Sequence, residues 1–353
     1  MLRFALVGCG RISKRHAELL GGNKVKGAKL VAVCDPISLK ANYLAQEYGI
    51  NSYTNIASMM ENEQIDVVSI LTESGNHAKH ATEVASYGKH VVVEKPMALT
   101  LDDADMMIEA CDNAGIKLFV IKQNRFNLPV QKLRSAIEEG RFKKLVLGTV
   151  RVRWCRKQDY YDQDAWRGTW SLDGGVLTNQ SIHHIDLLTW MMGPVESVFA
   201  KTSTALVNIE AEDTAAAVLK FRNGALGIVE ATTATRPRDL EGSLSILGEA
   251  GSVVIGGFAV NKLTQWNFVD SDESCDDMLE AFSQNPPDVY GFGHLEYYNH
   301  VVNCIRDGGP NLVDGLEGRK SIELVNAFYE SSATGKEVRL SFSPTNSKLG
   351  RSK

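Results

Sequence analysis

Residues 3–16 read RFALVGCGRISKRH, an apolar run, a glycine turn and the start of a helical pattern carrying His16. Gly8 permits the tight turn that leaves a strand, and Gly10 lets backbone N–H groups approach a pyrophosphate at a helix N-terminus. Arg11 and Ile12 line the same loop, and the small Ser13 stands where a third glycine usually falls. A lone GxG means little. Here a second strand-like run, KLVAVCD (29–35), ends on Asp35, whose carboxylate is placed to accept hydrogen bonds from an adenosine ribose. That pattern predicts a dinucleotide site and favours NAD over NADP.

Working outward, DVVSILT (66–72), HVVVEK (90–95) and KLFVI (117–121) repeat the strand signal with helical patterns between them. Such βα alternation predicts a parallel Rossmann sheet with helices on both faces, over residues 1–122. Ligands of these sheets bind at the carboxyl ends of strands. Thr72, Asn76, His77, Glu94, Lys95 and Gln123 all follow strands at that end, so they are candidate cofactor contacts. In HVVVEKPM (90–97) three valines suit a strand buried on both faces, and Pro96 stops it. Lys95 could simply pair with Glu94. Facing a nicotinamide, it would instead stabilise a developing alkoxide.

Residues 123–353 have another texture. LVLGTVRVRW (145–154), DTAAAVLKF (213–221), ALGIVEATTAT (225–235) and GSLSILG (242–248) read as strands, with Asn223-Gly224 as a hairpin turn. Helical patterns cover 132–140, 183–193, 297–308 and 315–335. An α+β domain with an open, largely antiparallel sheet follows, used for substrate binding and oligomerisation; the last helices can pack back on the first domain. Its uncovered sheet face calls for a homo-oligomer, a tetramer or dimer. The polar tail from about Ser343 reads as frayed.

GGVLTNQSIHHIDLLTWMMG (174–193) holds the second candidate site. On one helix Asn179 and His183 would share a face, and Asp186 could orient the imidazole. Histidine near neutral pKa is a natural base for a hydroxyl proton. Trp166 and Arg167 are cofactor contacts or packing. Arg151, Arg153, Arg156, Arg236 and Arg238 either grip a phosphate or carboxylate or are solvated and interface arginines.

The net charge of −5 over 353 residues shows no basic stripe and argues against nucleic acid. Six scattered cysteines lack CxxC or zinc spacing, so a reduced, cytoplasmic chain without a metal is expected. No apolar run approaches the roughly 20 residues of a membrane span, and no signal peptide opens the chain.

Together GCGRISKRH, the strand-end Glu94-Lys95-Pro96 and the GG…N…H..D segment resemble the Gfo/Idh/MocA oxidoreductases. The resemblance implies NAD(P)-dependent oxidation or reduction of sugars, inositols and related carbonyl compounds. It makes Lys95 the EKP lysine, with a cis bond before Pro96, and His183 the catalytic histidine. Asn179 stands where that family usually has aspartate; Asn179, Gln180 and Arg153 would contact substrate. A narrower likeness, in IKQNRFNLPVQ, LTNQSIHHIDLL and VYGFGH, is to the WlbA/WbpB-type subgroup. That subgroup oxidises C3 of UDP-N-acetylglucosaminuronate for bacterial surface polysaccharide, some members recycling NADH with 2-oxoglutarate. A free sugar or inositol as substrate, or an NAD-binding sensor without turnover, are the alternatives.

Overall fold

The computed structural model describes residues 1–257, 259–269, 273–283, 291–341 and 343–351. Val289 and Tyr290 of the VYGFGH stretch lie outside them. Two compact units emerge: Met1–Ile121 with His294–Ile322, and Lys122–Gly293 with Glu323–Lys353.

In the first unit six strands, β1 (Leu2–Val7), β2 (Ala28–Cys34), β3 (Asn51–Tyr53), β4 (Val67–Ile70), β5 (His90–Val93) and β6 (Leu118–Val120), form one sheet in the order β3-β2-β1-β4-β5-β6. All pairings are parallel. The helices α1 (Ser13–Leu20), α2 (Ser38–Tyr48), α3 (Ile56–Asn62), α4 (His77–Ser86) and α5 (Leu101–Asn113) alternate with these strands. This is the doubly wound order, and it reverses direction between β1 and β4, where a ligand crevice is expected. Val91, Val92 and Val93 are fully buried, as a strand covered on both faces requires. The Thr100 hydroxyl accepts the Asp103 N–H at 3.1 Å and so caps α5. Short β3 escaped the sequence reading because NSY carries no apolar pattern.

The second unit is built on an eight-stranded sheet, β13-β12-β11-β7-β10-β9-β8-β14. Its strands are β7 (Leu145–Arg153), β8 (Val195–Ser203), β9 (Thr214–Phe221), β10 (Leu226–Thr232), β11 (Glu241–Gly248), β12 (Gly251–Gly256), β13 (Lys262–Phe268) and β14 (Val338–Arg339). Among the described residues of this sheet, only β7 and β10 pair in parallel. The helices are α6 (Leu128–Glu138), α7 (Gln158–Tyr161), α8 (Ile182–Met192) and α9 (Cys275–Ala281); α10 (Gly293–Asp307) belongs almost wholly to the first unit, and α11 (Gly315–Thr334) begins there and ends in the second. The Asn223-Gly224 hairpin joins β9 to β10 as read, with Gly224 at φ +87°.

Strand alternation decides which face each side chain meets. Along β7, Gly148, Val150 and Val152 are buried and Arg151 is exposed. A Cβ on Gly148 would lie 2.7 Å from Leu188 and Met192, so α8 rests on that face. The opposite face leaves Val146, Phe199, Val218, Leu226 and Ile228 exposed. Residues 343–351 of the tail are held, not frayed. Glu330 on α11 accepts the N–H groups of Thr345, Asn346 and Ser347 at 3.0, 2.6 and 3.2 Å, and Leu349 is buried. Local composition favoured disorder, but one carboxylate from a distant helix outweighs it.

Candidate active site

In the first unit the predicted cofactor residues gather at the carboxyl ends of β1, β2, β4 and β5. Gly8 has φ +98°, and a Cβ there would lie 2.8 Å from the Leu71 carbonyl group; only glycine fits this turn. Nothing lies within 4 Å of the place a Cβ on Gly10 would take, which leaves the room a phosphate needs. Asp35 Oδ2 accepts the Cys9 N–H and Oδ1 the Ile37 N–H, both at 2.8 Å. The carboxylate therefore shapes the glycine turn it faces. Arg11 and Ile12 occupy the turn just before α1. These features fit a dinucleotide.

Thr72 Oγ1 lies 3.0 Å from His80 Nδ1, and Asn76 donates to Glu73 at 3.1 Å. His77, read as a cofactor contact, is buried with Nδ1 2.8 Å from the Pro96 carbonyl oxygen and Nε2 3.0 Å from that of Thr72. Burial above all lowers its pKa. A neutral ring can donate to only one of those oxygens at a time, and both nitrogens face main chain. His77 thus ties the turn after β5 to the end of β4 and presents no nitrogen to a ligand.

Lys95 is half-buried and its bond to Pro96 is cis, as the resemblance implied. Behind it runs a buried chain. Ser69 Oγ lies 3.0 Å from Tyr298 Oη, Tyr298 Oη 2.5 Å from His16 Nδ1, and His16 Nε2 3.0 Å from Glu94 Oε1. Glu94 Oε2 accepts the Lys95 N–H at 2.9 Å. Burial opposes charge on Glu94, but the His16 hydrogen bond and the fields of His16, His294 and Lys95 bring its carboxyl down to about 2. Ligand atoms of His16, Glu94 and His294 lie within 4.8 Å of one another, a spacing that could suit a metal. Hydrogen bonds already engage both Glu94 oxygens, so the trio is accounted for as a support for the turn that carries Lys95.

In the second unit, α8 begins at Ile182, and Val176–Gln180 forms a π-helical turn before it, closed by Ser181 N–H to the Val176 carbonyl at 2.8 Å. Asn179 and His183 therefore do not share one α-helical face; the wider turn intervenes. Asn179 donates its amide to Asp173, and Gln180 donates to Asn179 Oδ1 at 2.8 Å and to Tyr160 Oη at 3.0 Å. His183 is half-buried, its Nε2 3.1 Å from the Gln123 amide nitrogen. If that amide donates, Nε2 carries the lone pair, the state a general base requires. Gln123 Oε1 is buried with no hydrogen-bond partner among the described residues, an acceptor left for a ligand's donor.

Asp186 meets two cations. Its carboxylate accepts from Lys122, and from Arg125 Nε and Nη2 at 2.8 Å each. Burial opposes the charge, but these two cations hold the carboxyl well below the usual range. The Arg125 guanidinium also stacks 4.9 Å from the Trp190 ring. The i, i+3 spacing could not reveal that two cations after β6 claim this acid.

Arg153 has acid partners of its own. It sits on the sheet face opposite α8, bonded to Glu230 at 2.5 and 2.9 Å and to Glu241 at 3.1 Å. A period-two strand sends Arg151 and Arg153 to one side and the helix-packing residues to the other. Arg156 is likewise matched, to Asp239 at 3.0 Å. Arg167 stacks 4.7 Å from both the Tyr160 and Trp166 rings and binds Asp164.

His184, next to the candidate base, is buried with neither ring nitrogen hydrogen-bonded among the described residues, edge-on to Trp154 at 5.7 Å. Burial pulls its pKa to about 4. The unfolded chain takes up this proton near pH 6.5 while the folded one stays neutral, so stability falls as pH drops through that window, by roughly 2 kcal/mol at pH 5. His184→Phe should lose that part of the acid sensitivity in Tm measured from pH 7 to pH 5. A variant that tracks the wild type would show that His184 does not titrate as burial demands.

The chain matches two family models, that of the oxidoreductase-family NAD-binding Rossmann fold over residues 2–122 and that of the oxidoreductase-family C-terminal α/β domain over residues 134–340. Among solved structures it is similar to the WlbA dehydrogenase of Bordetella pertussis, in complex with NADH and UDP-GlcNAcA. Identity is 43%, the TM-score is 0.92, and the match covers 97% of this chain and 98% of that one. It is 28% identical to the D-apiose dehydrogenase of Paraburkholderia graminis, over 95% of this chain and 89% of the relative. It is also 28% identical to the myo-inositol 2-dehydrogenase of Thermotoga maritima, over 96% and 98%. With both domain models matched in order along a chain that carries the nucleotide turn, Lys95 and His183, the protein belongs to the Gfo/Idh/MocA family of NAD-binding oxidoreductases.

Proposed function

We propose that this protein is an NAD-dependent dehydrogenase of a nucleotide sugar, oxidising C3 of UDP-N-acetylglucosaminuronate in bacterial surface-polysaccharide biosynthesis. The observation that carries the reading is the 43% identity, across nearly both whole chains, to a dehydrogenase solved with NADH and UDP-GlcNAcA. The other relatives, at 28% identity, act by name on apiose and inositol, so oxidation of a carbinol is common to all three. With its pyrophosphate on the Gly8–Ile12 turn, the dinucleotide would supply a nicotinamide as hydride acceptor. His183 takes the hydroxyl proton and Lys95 stabilises the oxyanion that develops as it leaves. Asn179 and Gln180 hold the sugar, and Gln123 keeps the His183 ring in place. Thr72, Asn76 and Glu94 complete the cofactor side, with Asp35 on the ribose.

The exposed apolar stripe of the second sheet supports a homo-oligomer in which that face is covered, checked by light scattering. Among the described residues no helix is long and apolar enough to cross a membrane. All six cysteines are free thiols, which supports work in a reducing compartment such as the cytoplasm.

The test supplies purified protein with NAD and UDP-N-acetylglucosaminuronate, with and without 2-oxoglutarate, and follows the sugar by mass spectrometry. A 3-keto product is expected. Dependence on 2-oxoglutarate would mean that NADH is recycled in place. Turnover of apiose or inositol, with none of the nucleotide sugar, would overturn the reading.

A further inference from the structure

Glu212 lies just before β9 and is 2% exposed. Its Oε1 accepts the Leu177 N–H and the Tyr329 hydroxyl, each at 2.9 Å. Its main-chain oxygen accepts the Val176 N–H at 2.9 Å. Thr178 Oγ1 lies 2.8 Å from Tyr329 Oη, so the tyrosine bridges the turn to the acid. Three successive residues of the π-helical turn are thus bound, directly or through one hydroxyl, to a single glutamate.

The other carboxyl oxygen is different. Oε2 is buried with no hydrogen-bond partner among the described residues. It rests over Gly175, where a Cβ would lie 2.2 Å from both Oε2 and the Glu212 carbonyl oxygen. Glycine is required there by close approach. A neutral carboxyl tolerates this seat, whereas a carboxylate would bury charge on an oxygen with no donor.

We propose that Glu212 is a positioning residue: with Tyr329 it clamps Val176–Gln180 in the shape that presents Asn179, Gln180 and the His183 end of α8, and it does so in its protonated state, the clamp loosening when the carboxyl ionises. This rests on the reading of that turn as the substrate side. The titratable groups facing Glu212 are Tyr329 from α11 and Asp173 from the loop before the turn. Burial first, then the like charge of Asp173, push the Glu212 carboxyl up to about 7, against the opposing hydrogen bonds of the Leu177 N–H, its own N–H and the Tyr329 hydroxyl.

The decisive variant is Glu212→Gln, which keeps the Oε1 acceptor and never ionises. Amide exchange in the segment 173–182 is followed by mass spectrometry and corrected for intrinsic rates. In the wild type the opening equilibrium should rise by about tenfold between pH 6 and pH 8, because the closed turn must shed a proton that the open turn has already lost. In E212Q it should stay flat. Tyr329→Phe, which removes the bridging hydroxyl, should speed exchange at both pH values. In turnover, the ratio of the wild-type KM to that of E212Q should rise over the same range, which separates the effect of Glu212 from the titration of His183 that both proteins share.

An E212Q profile that tracks the wild type would overturn the ionisation step. Unchanged exchange in Y329F would overturn the clamp. If the nucleotide sugar is not turned over, the substrate reading fails, yet the exchange measurement still decides the role of Glu212.

Discussion

Lys95→Met should lower turnover by roughly 10² to 10⁴-fold while NAD still binds, the usual range for deleting a charged group that acts on the reacting oxygen. Methionine keeps the apolar stem and loses only the ammonium. The main-chain N–H that Glu94 accepts is untouched by the change, as are the hydrogen bonds from His16 and Tyr298 behind it. The turn should therefore survive, and the defect should appear in kcat with little change in cofactor binding. Single-turnover NADH formation and quenching of protein fluorescence by NADH separate the two. Turnover equal to that of the wild type would remove Lys95 from the chemistry and leave His183 to carry it alone.

The largest stability effect should come from Asp186→Ala. Lys122 and Arg125 have side chains only 5% and 4% exposed, and Asp186 is the acid they share. Removing it takes from both buried cations the carboxylate they share, a loss of about 3–5 kcal/mol, or roughly 10 °C in Tm for a unit of this size. Lys122→Met should cost far less. It leaves the two-pronged Arg125–Asp186 pair, in which Nε and Nη2 each meet a carboxylate oxygen at 2.8 Å. Calorimetry on both variants checks this. Equal losses would mean that the lysine is held for its shape and not for its charge.

The sequence disclosed most where a local rule has a single solution. A strand, a tight glycine turn, a helix and a strand-end acid can scarcely be arranged otherwise, so β1, Gly8, β2 and Asp35 lie where the pattern put them. The parallel sheet of the first unit followed from βα alternation, and the hairpin at Asn223-Gly224 from its turn residues. Long-range partnerships were not legible. Asp186 is three residues from His183, but its charge partners lie more than sixty residues earlier in the chain. The same holds for Glu212 and Tyr329, separated by 117 positions. Strand parity placed Arg153 on the face away from α8, beside two glutamates that residue type alone did not disclose. The π-helical turn had no sequence sign at all, because GGVLTNQ offers nothing that distinguishes five-residue from four-residue closure.

The first unit is knitted from two separated stretches of chain. Strand β6 receives the Val313 carbonyl on its Val120 N–H at 2.7 Å, Phe119 bridges to Asp314, and Tyr298 completes the hydrogen-bonded chain behind Glu94. A ribosome delivers residues in order, so when Ile121 emerges the nucleotide-binding half still lacks α10 and the segment after it. Most of the second unit must be synthesised before the missing strip arrives. During that interval the edge of β6 and the underside of α1 stay uncovered, in a chain that has already made its phosphate turn. Nascent-chain trapping should find the cofactor-binding half protease-sensitive until residues up to Ile322 have left the exit tunnel.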